Sequence, residues 1–163
     1  MSGIGAIVWH DGRGEADREQ AARFAQALRV YGRDRQESRF SGPCVLLYAH
    51  CGPTTIHDPD AAPAEAGDGR YQLVFDGRLD RREELLQQLG AGREARGWSD
   101  ARLAAECWAK WREDAPRHWS GEFAVIVWDA LERELHCVRD QLGQRPLSWH
   151  RREDGAVVVA TAP

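Results

Sequence analysis

At 163 residues and 18.3 kDa, with 42% apolar and 29% charged residues, the chain is long enough for one domain with its own core. Twenty-two basic against 26 acidic residues give a net charge of −4 with the signs mixed along the chain, which argues against a nucleic-acid backbone binder. The longest apolar run, Phe123 to Trp128, is far short of the roughly 18–20 residues of a membrane span, and the start lacks the basic region of a signal peptide. A cytoplasmic chain with neither a nucleic-acid nor a membrane partner is therefore expected.

Ile4 to Trp9 is a short β-rich run closed by His10-Asp11-Gly12, a strand and turn. Ala21, Phe24, Ala25, Leu28 and Tyr31 follow at helical spacing until Gly32 stops the pattern. Cys44 to Ala49 reads as a second strand, and Asp58 to Gly69 as an exposed loop rich in Ala, Pro, Gly and Asp. Tyr71 to Phe75 is a third strand, and Arg81 to Leu89 a helix closed by Gly90. Ser99-Asp100 precedes a helix whose apolar face is Leu103, Ala104, Cys107, Trp108 and Trp111. Phe123 to Trp128 and Glu134 to Arg139 form a hairpin, and Pro146 to His150 with Ala156 to Thr161 a second one turned at Glu153-Asp154-Gly155. Seven strands, the last four consecutive, and three longer helices favour antiparallel pairing and the α+β class.

Lys110 is the only lysine, and no Gly-Lys-Ser/Thr phosphate loop occurs. Cys44, Cys51, Cys107 and Cys137 show no Cys-x-x-Cys pairing, so free thiols are expected. His50 and Cys51 are adjacent, which breaks any usual zinc spacing with Cys44 and His57. No metal site is assigned. Trp108, Trp111, Trp119 and Trp128 read as core packing, and Arg139-Asp140 with Gly143 to Leu147 as a turn between strands.

Three segments in this order carry a resemblance. They are Phe75-Asp76-Gly77-Arg78-Leu79-Asp80-Arg81-Arg82-Glu83-Glu84-Leu85, Gly121-Glu122-Phe123-Ala124-Val125-Ile126-Val127-Trp128-Asp129-Ala130 and Arg139-Asp140-Gln141-Leu142-Gly143-Gln144-Arg145-Pro146-Leu147. Together with Met1-Ser2-Gly3-Ile4 and Ser99-Asp100, they resemble the N-terminal glutaminase domain of the asparagine synthetase family, with the lasso peptide cyclase and β-lactam synthetase branch as its nearest part. The resemblance implies an N-terminal-nucleophile hydrolase fold, a four-layer αββα sandwich of two antiparallel sheets, as a single domain over residues 1–163. It also implies a following ATP-dependent synthetase module that lies outside this sequence. That module is the expected partner, in cis or in trans, and the place for ATP and magnesium. No cofactor is expected in these 163 residues.

Carried over position by position, the resemblance places the nucleophile at Ser2, where the family has a cysteine whose own α-amine serves as base. It places the oxyanion hole at Asp76-Gly77, where glutamine-hydrolysing members carry Asn-Gly. The arginine that clamps the substrate carboxylate falls on Gly52, followed by Pro53, when the chain is aligned on His50; Arg78 is a candidate substitute. Asp100 matches the residue that holds the substrate amine, with a helix-capping role for Ser99 or Asp100 as the alternative. These departures imply a degenerate glutaminase acting as a scaffold for an amide-forming synthetase. A serine-dependent N-terminal-nucleophile amidase and a stand-alone binding module are the alternatives. Leu147, Trp149 and Val157 to Val159 are candidates for an association surface, with the synthetase module or a second copy as occupant and core filling as the alternative.

Overall fold

The computed structural model describes residues 2–9, 15–50 and 63–161. Among these, nine strands form two antiparallel sheets. One sheet has five strands in the order β2 (Arg35–Ser41), β3 (Cys44–His50), β1 (Gly3–Val8), β9 (Val157–Ala160) and β8 (Ser148–Arg151). The other has four, in the order β4 (Ala64–Ala66), β5 (Tyr71–Asp80), β6 (Ser120–Asp129) and β7 (Glu134–Arg139). The α+β, αββα sandwich implied by the sequence is the observed fold.

The period of two along each strand builds the layers. Ile4, Ala6 and Val8 of β1, Cys44 and Leu46 of β3 and Val159 of β9 meet Val74 of β5 and Ala124, Ile126 and Trp128 of β6 between the sheets. The alternate residues Ile7, Val45, Leu47 and Ala49 face outward against Ala21 and Leu28 of α1 (Arg18–Leu28). Leu73, Phe75, Phe123, Val125 and Val127 face outward on the second sheet. There they meet Leu85 and Leu86 of α2 (Arg82–Leu89) and Leu103, Ala104, Cys107 and Trp108 of α3 (Asp100–Trp111). Central strands covered on both faces explain the near-continuous apolar runs of β1, β3 and β6.

Local signals set the helix ends. The Asp17 carboxylate accepts from the N–H groups of Glu19 and Gln20, capping α1. Gly90, at φ 73°, closes α2 as its own N–H and that of Ala91 turn back onto Gln87 and Leu86. Ser99 caps α3 by accepting from the Arg102 N–H, which settles the capping alternative in favour of Ser99 over Asp100.

Two strands lie outside the sequence reading. β2 is Arg-Gln-Glu-Ser-Arg-Phe-Ser, an edge strand with no alternation of apolar residues, and such polar edges guard a sheet against further pairing. β4 is three residues, Ala-Glu-Ala, inside the stretch read as a loop; its alanines are buried and Glu65 between them is exposed. Of the proposed association surface, Val159 is buried, Leu147 and Val157 pack against the inter-sheet core, and Val158 packs on the α1 side. Trp149 alone among them stays largely exposed, at 73%.

Candidate functional site

Ser2 stands at the entry of β1, the middle strand of its sheet, and shares the inward parity of Ile4 and Ala6. Antiparallel pairing of β1 with β3 ends at Gly3 opposite Ala49, so His50 arrives beside Ser2. The Ser2 hydroxyl lies 3.4 Å from His50 Nδ1 and 3.4 Å from the Tyr48 hydroxyl, and those two lie 3.1 Å apart. Asp76, on β5 with the parity of Val74, faces Ser2 from the opposite sheet. The Ser2 backbone N–H donates to Asp76 Oδ1 at 3.0 Å. Stacking of the sheets therefore brings together residues 74 positions apart.

Asp76 is buried, with 4% of its surface exposed, and its Oδ2 finds no hydrogen-bond partner among the described residues. Arg145 Nη1 lies 3.6 Å from that oxygen, while its Nη2 lies 3.6 Å from Glu122. Burial pushes the Asp76 carboxyl above its ordinary pKa, against the smaller pull of the Ser2 N–H and the Arg145 charge.

A turn built on Asp140 positions Arg145. The buried Asp140 carboxylate accepts from the N–H groups of Leu142 (3.1 Å), Gln144 (3.0 Å), Arg145 (3.2 Å) and Phe123 (3.4 Å). Burial opposes its ionisation, but these N–H groups more than offset it and hold the carboxyl below its ordinary value.

Gly77 follows Asp76 at φ 130°, and a Cβ built on it would fall 1.9 Å from the Glu122 carbonyl oxygen. Only glycine fits there, which is the physical reason for the Asp-Gly pair in this strand. Gly77→Ala is expected to cost about 2–4 kcal/mol in chemical denaturation, because both the backbone conformation and the approach of β6 forbid a side chain. A loss under about 0.5 kcal/mol would show that the β5–β6 pairing relaxes freely.

The other sequence candidates fall elsewhere. Asp100 accepts from the Leu79 N–H at 2.9 Å and pairs with Arg82, so its carboxylate ties β5, α2 and α3 together. Arg78 is exposed and pairs with Asp80 and Glu122, not with Asp76. Gly52, like Cys51 and His57, lies outside the described residues. Cys44 is in the inter-sheet core, where burial raises its thiol pKa. Glu113, Glu134 and His136 bring ligand atoms within 4.8 Å of one another, but two of the three are exposed. Because His136 pairs with Val127, they lie toward the α3 face and not between the sheets.

Tyr48, His50 and Arg145 are the site residues that the sequence reading did not assign. His50 entered there as an alignment point and in a zinc spacing that was set aside, and its place at the end of a strand antiparallel to β1 was the one signal toward Ser2. Nothing local in the sequence joins Arg145 to Asp76.

All of residues 1–163 match the glutamine amidotransferase domain family. A putative glutamine-hydrolyzing asparagine synthetase of Mycobacterium bovis is 40% identical over 102 residues, covering 60% of this chain and 15% of that protein. The glutamine-hydrolyzing asparagine synthetase 3 of Bacillus subtilis is 34% identical over 80 residues, covering 48% and 13%. The amidase chyE of Penicillium rubens is 24% identical over 173 residues, covering 99% of this chain and 25% of that protein. This chain thus spans a quarter or less of these relatives. The solved structure of glutamine phosphoribosylpyrophosphate amidotransferase from B. subtilis superposes with a TM-score of 0.70 at 17% identity, covering 98% of this chain and 41% of that one, a likeness of fold. The chain belongs to the glutamine amidotransferase domain family, as the asparagine synthetase-like member that its three ordered segments pointed to.

Proposed function

We propose that this domain is a degenerate glutaminase, a scaffold for an asparagine synthetase-like, ATP-dependent amide-forming module. The observation that carries the reading is the Asp76 carboxyl group, buried and 3.0 Å from the Ser2 nitrogen, at the position where the family resemblance puts the oxyanion hole. A negative charge there opposes the negative charge of a tetrahedral intermediate, whereas an oxyanion hole requires donors. A synthetase whose nitrogen comes from an amine already in its substrate, as in the lasso cyclase and β-lactam synthetase branch, has no need of ammonia from this site. Calorimetric titration with L-glutamine is expected to show no saturable binding tighter than about 1 mM. A saturable site below that concentration, retained or tightened in Asp76→Asn, would sink the reading.

The relatives are several times longer than this chain, and we assign one face to such a partner module. An apolar groove of about 620 Å³ runs between α1 and β8, lined by Phe24, Leu28, Val30, Tyr31, Trp149 and Val158. Val30 and Trp149, both lining this groove, are 70% and 73% exposed, which makes an apolar patch there. Sedimentation of the isolated chain with a separately produced synthetase module is expected to show a complex that Trp149→Glu weakens at least about tenfold. A monomer of 18.3 kDa throughout, with no complex, removes the scaffold role.

A serine amidase is the second reading, favoured by the Ser2 hydroxyl lying beside His50 and Tyr48. A fluorophosphonate probe labelling Ser2 would support it.

A further inference from the structure

We infer that the inner face around Asp76 is a binding site for the chain's own mature N-terminus: with Met1 removed, the Ser2 ammonium and the Asp76 carboxylate form an ion pair between the sheets. This goes beyond the degenerate-glutaminase reading and does not depend on it. Removal is hydrolysis of the Met1–Ser2 peptide bond by water on a methionine aminopeptidase, for which a small second residue such as serine is suited.

The geometry is already in place. Ser2 N sits 3.0 Å from Asp76 Oδ1, a distance at which an ammonium hydrogen-bonds without any movement of the strands. Asp76 Oδ2 is buried and lacks a hydrogen-bond partner among the described residues, so an acceptor waits for a donor. Charge points the same way. The groups around Ser2 and Asp76 are Tyr48 and His50 from β3, Glu122 from β6 and Arg145 from the turn before β8. Within that set Arg145 is one cation shared by two carboxylates, Asp76 and Glu122, each 3.6 Å away. A second cation at Ser2 balances the pair.

The pairing has a chemical consequence. Beside an opposite charge in a buried site, each partner favours the charged form of the other, so the amine holds its proton to higher pH than a free α-amine at roughly 7.7–8.0. A protonated amine has no lone pair to accept the Ser2 hydroxyl proton. Asp76 is then a positioning residue that seats the N-terminus and silences it as a base. The sign of the linkage follows. Amine stabilisation is fully present below the free-amine value and is lost as pH rises through the raised one.

The test uses the full chain. Intact mass first establishes that Met1 is gone. Competitive acetylation of the Ser2 amine by acetic anhydride, with the free peptide Ser-Gly-Ile-Gly-Ala as internal standard, then gives the pH midpoint of each amine. The protein midpoint is expected at least one unit above that of the peptide, equivalent to about tenfold less free base at pH 7. In Asp76→Asn, which keeps the size of the side chain, the midpoint is expected to fall to the peptide value or below. Retention of Met1, a wild-type midpoint at or below the peptide value, or a midpoint unmoved in Asp76→Asn would each overturn the inference. If Asp76→Asn does not fold, the wild-type midpoint decides alone. Ammonia release from glutamine with a raised midpoint would refute the degenerate-glutaminase reading and the silencing of the amine while leaving the ion pair standing, and an ordinary midpoint in an inactive protein would refute this inference only.

Discussion

Ser2→Cys is expected to release ammonia from glutamine no faster than the parent chain, with both at background. A thiol is the better nucleophile, but it needs a base and an oxyanion hole to act. Asp76 Oδ1 sits 3.0 Å from the Ser2 nitrogen and is buried, so a carboxyl group stands at the position where the family resemblance places an oxyanion donor. Loss of one oxyanion donor costs roughly 10²- to 10³-fold in rate, and a like charge in its place adds to that. Groups that act as a unit do not recover activity one at a time. Ser2→Cys with Asp76→Asn is therefore the first combination expected to rise above background, and only weakly, since Arg78 is turned to Asp80 and Glu122. Measured ammonia release from Ser2→Cys alone would show that Asp76 is protonated or displaced during turnover.

Asp140→Ala is expected to lower stability by about 2–4 kcal/mol, read as a fall in Tm of roughly 5–15 °C. The carboxylate accepts four backbone N–H groups and holds the turn from Gln141 to Arg145 against the start of β6. Water reaches part of that turn, where Gln141 and Leu142 are exposed, so the loss is smaller than four buried hydrogen bonds would give. The pH dependence is diagnostic. A carboxyl held below its ordinary pKa contributes stability present above the unfolded value of about 3.9 and lost as pH falls through the folded value. The acid limb of the stability curve should therefore flatten in Asp140→Ala. Because Arg145 rides on the turn, the variant should also loosen the Arg145 contact with Asp76. A loss under about 0.5 kcal/mol with an unchanged acid limb would mean that the turn holds itself.

Much of the architecture was legible in the residues. The apolar runs of β1, β3, β5 and β6 are central strands covered on both faces, so they announce themselves without a partner in view. α2 and α3 carry their own stops and starts in Gly90 and Ser99. Motif order also singled out Ser2 and Asp76, which the packed sheets bring within 3.0 Å of each other. β2 and β4 were not legible, because a polar edge strand and a three-residue strand are made by neighbours that offer open hydrogen-bonding groups.

The site divides in the same way. Sequence determined which residue types stand at the positions that the family resemblance singles out, with Asp76 where the resemblance expects an amide. Only the packing of the two sheets decided what that charge touches. Ser2 and Asp76 are 74 residues apart, and Asp76 and Arg145 lie on different strands and turns, so no spacing rule joins them. Asp100 shows the converse, a matched position whose carboxylate is taken up by Leu79 and Arg82. Residue identity is a local property, whereas a pKa, an ion pair or an unfilled acceptor belongs to the space between elements, and that space exists only once the sheets have closed on each other.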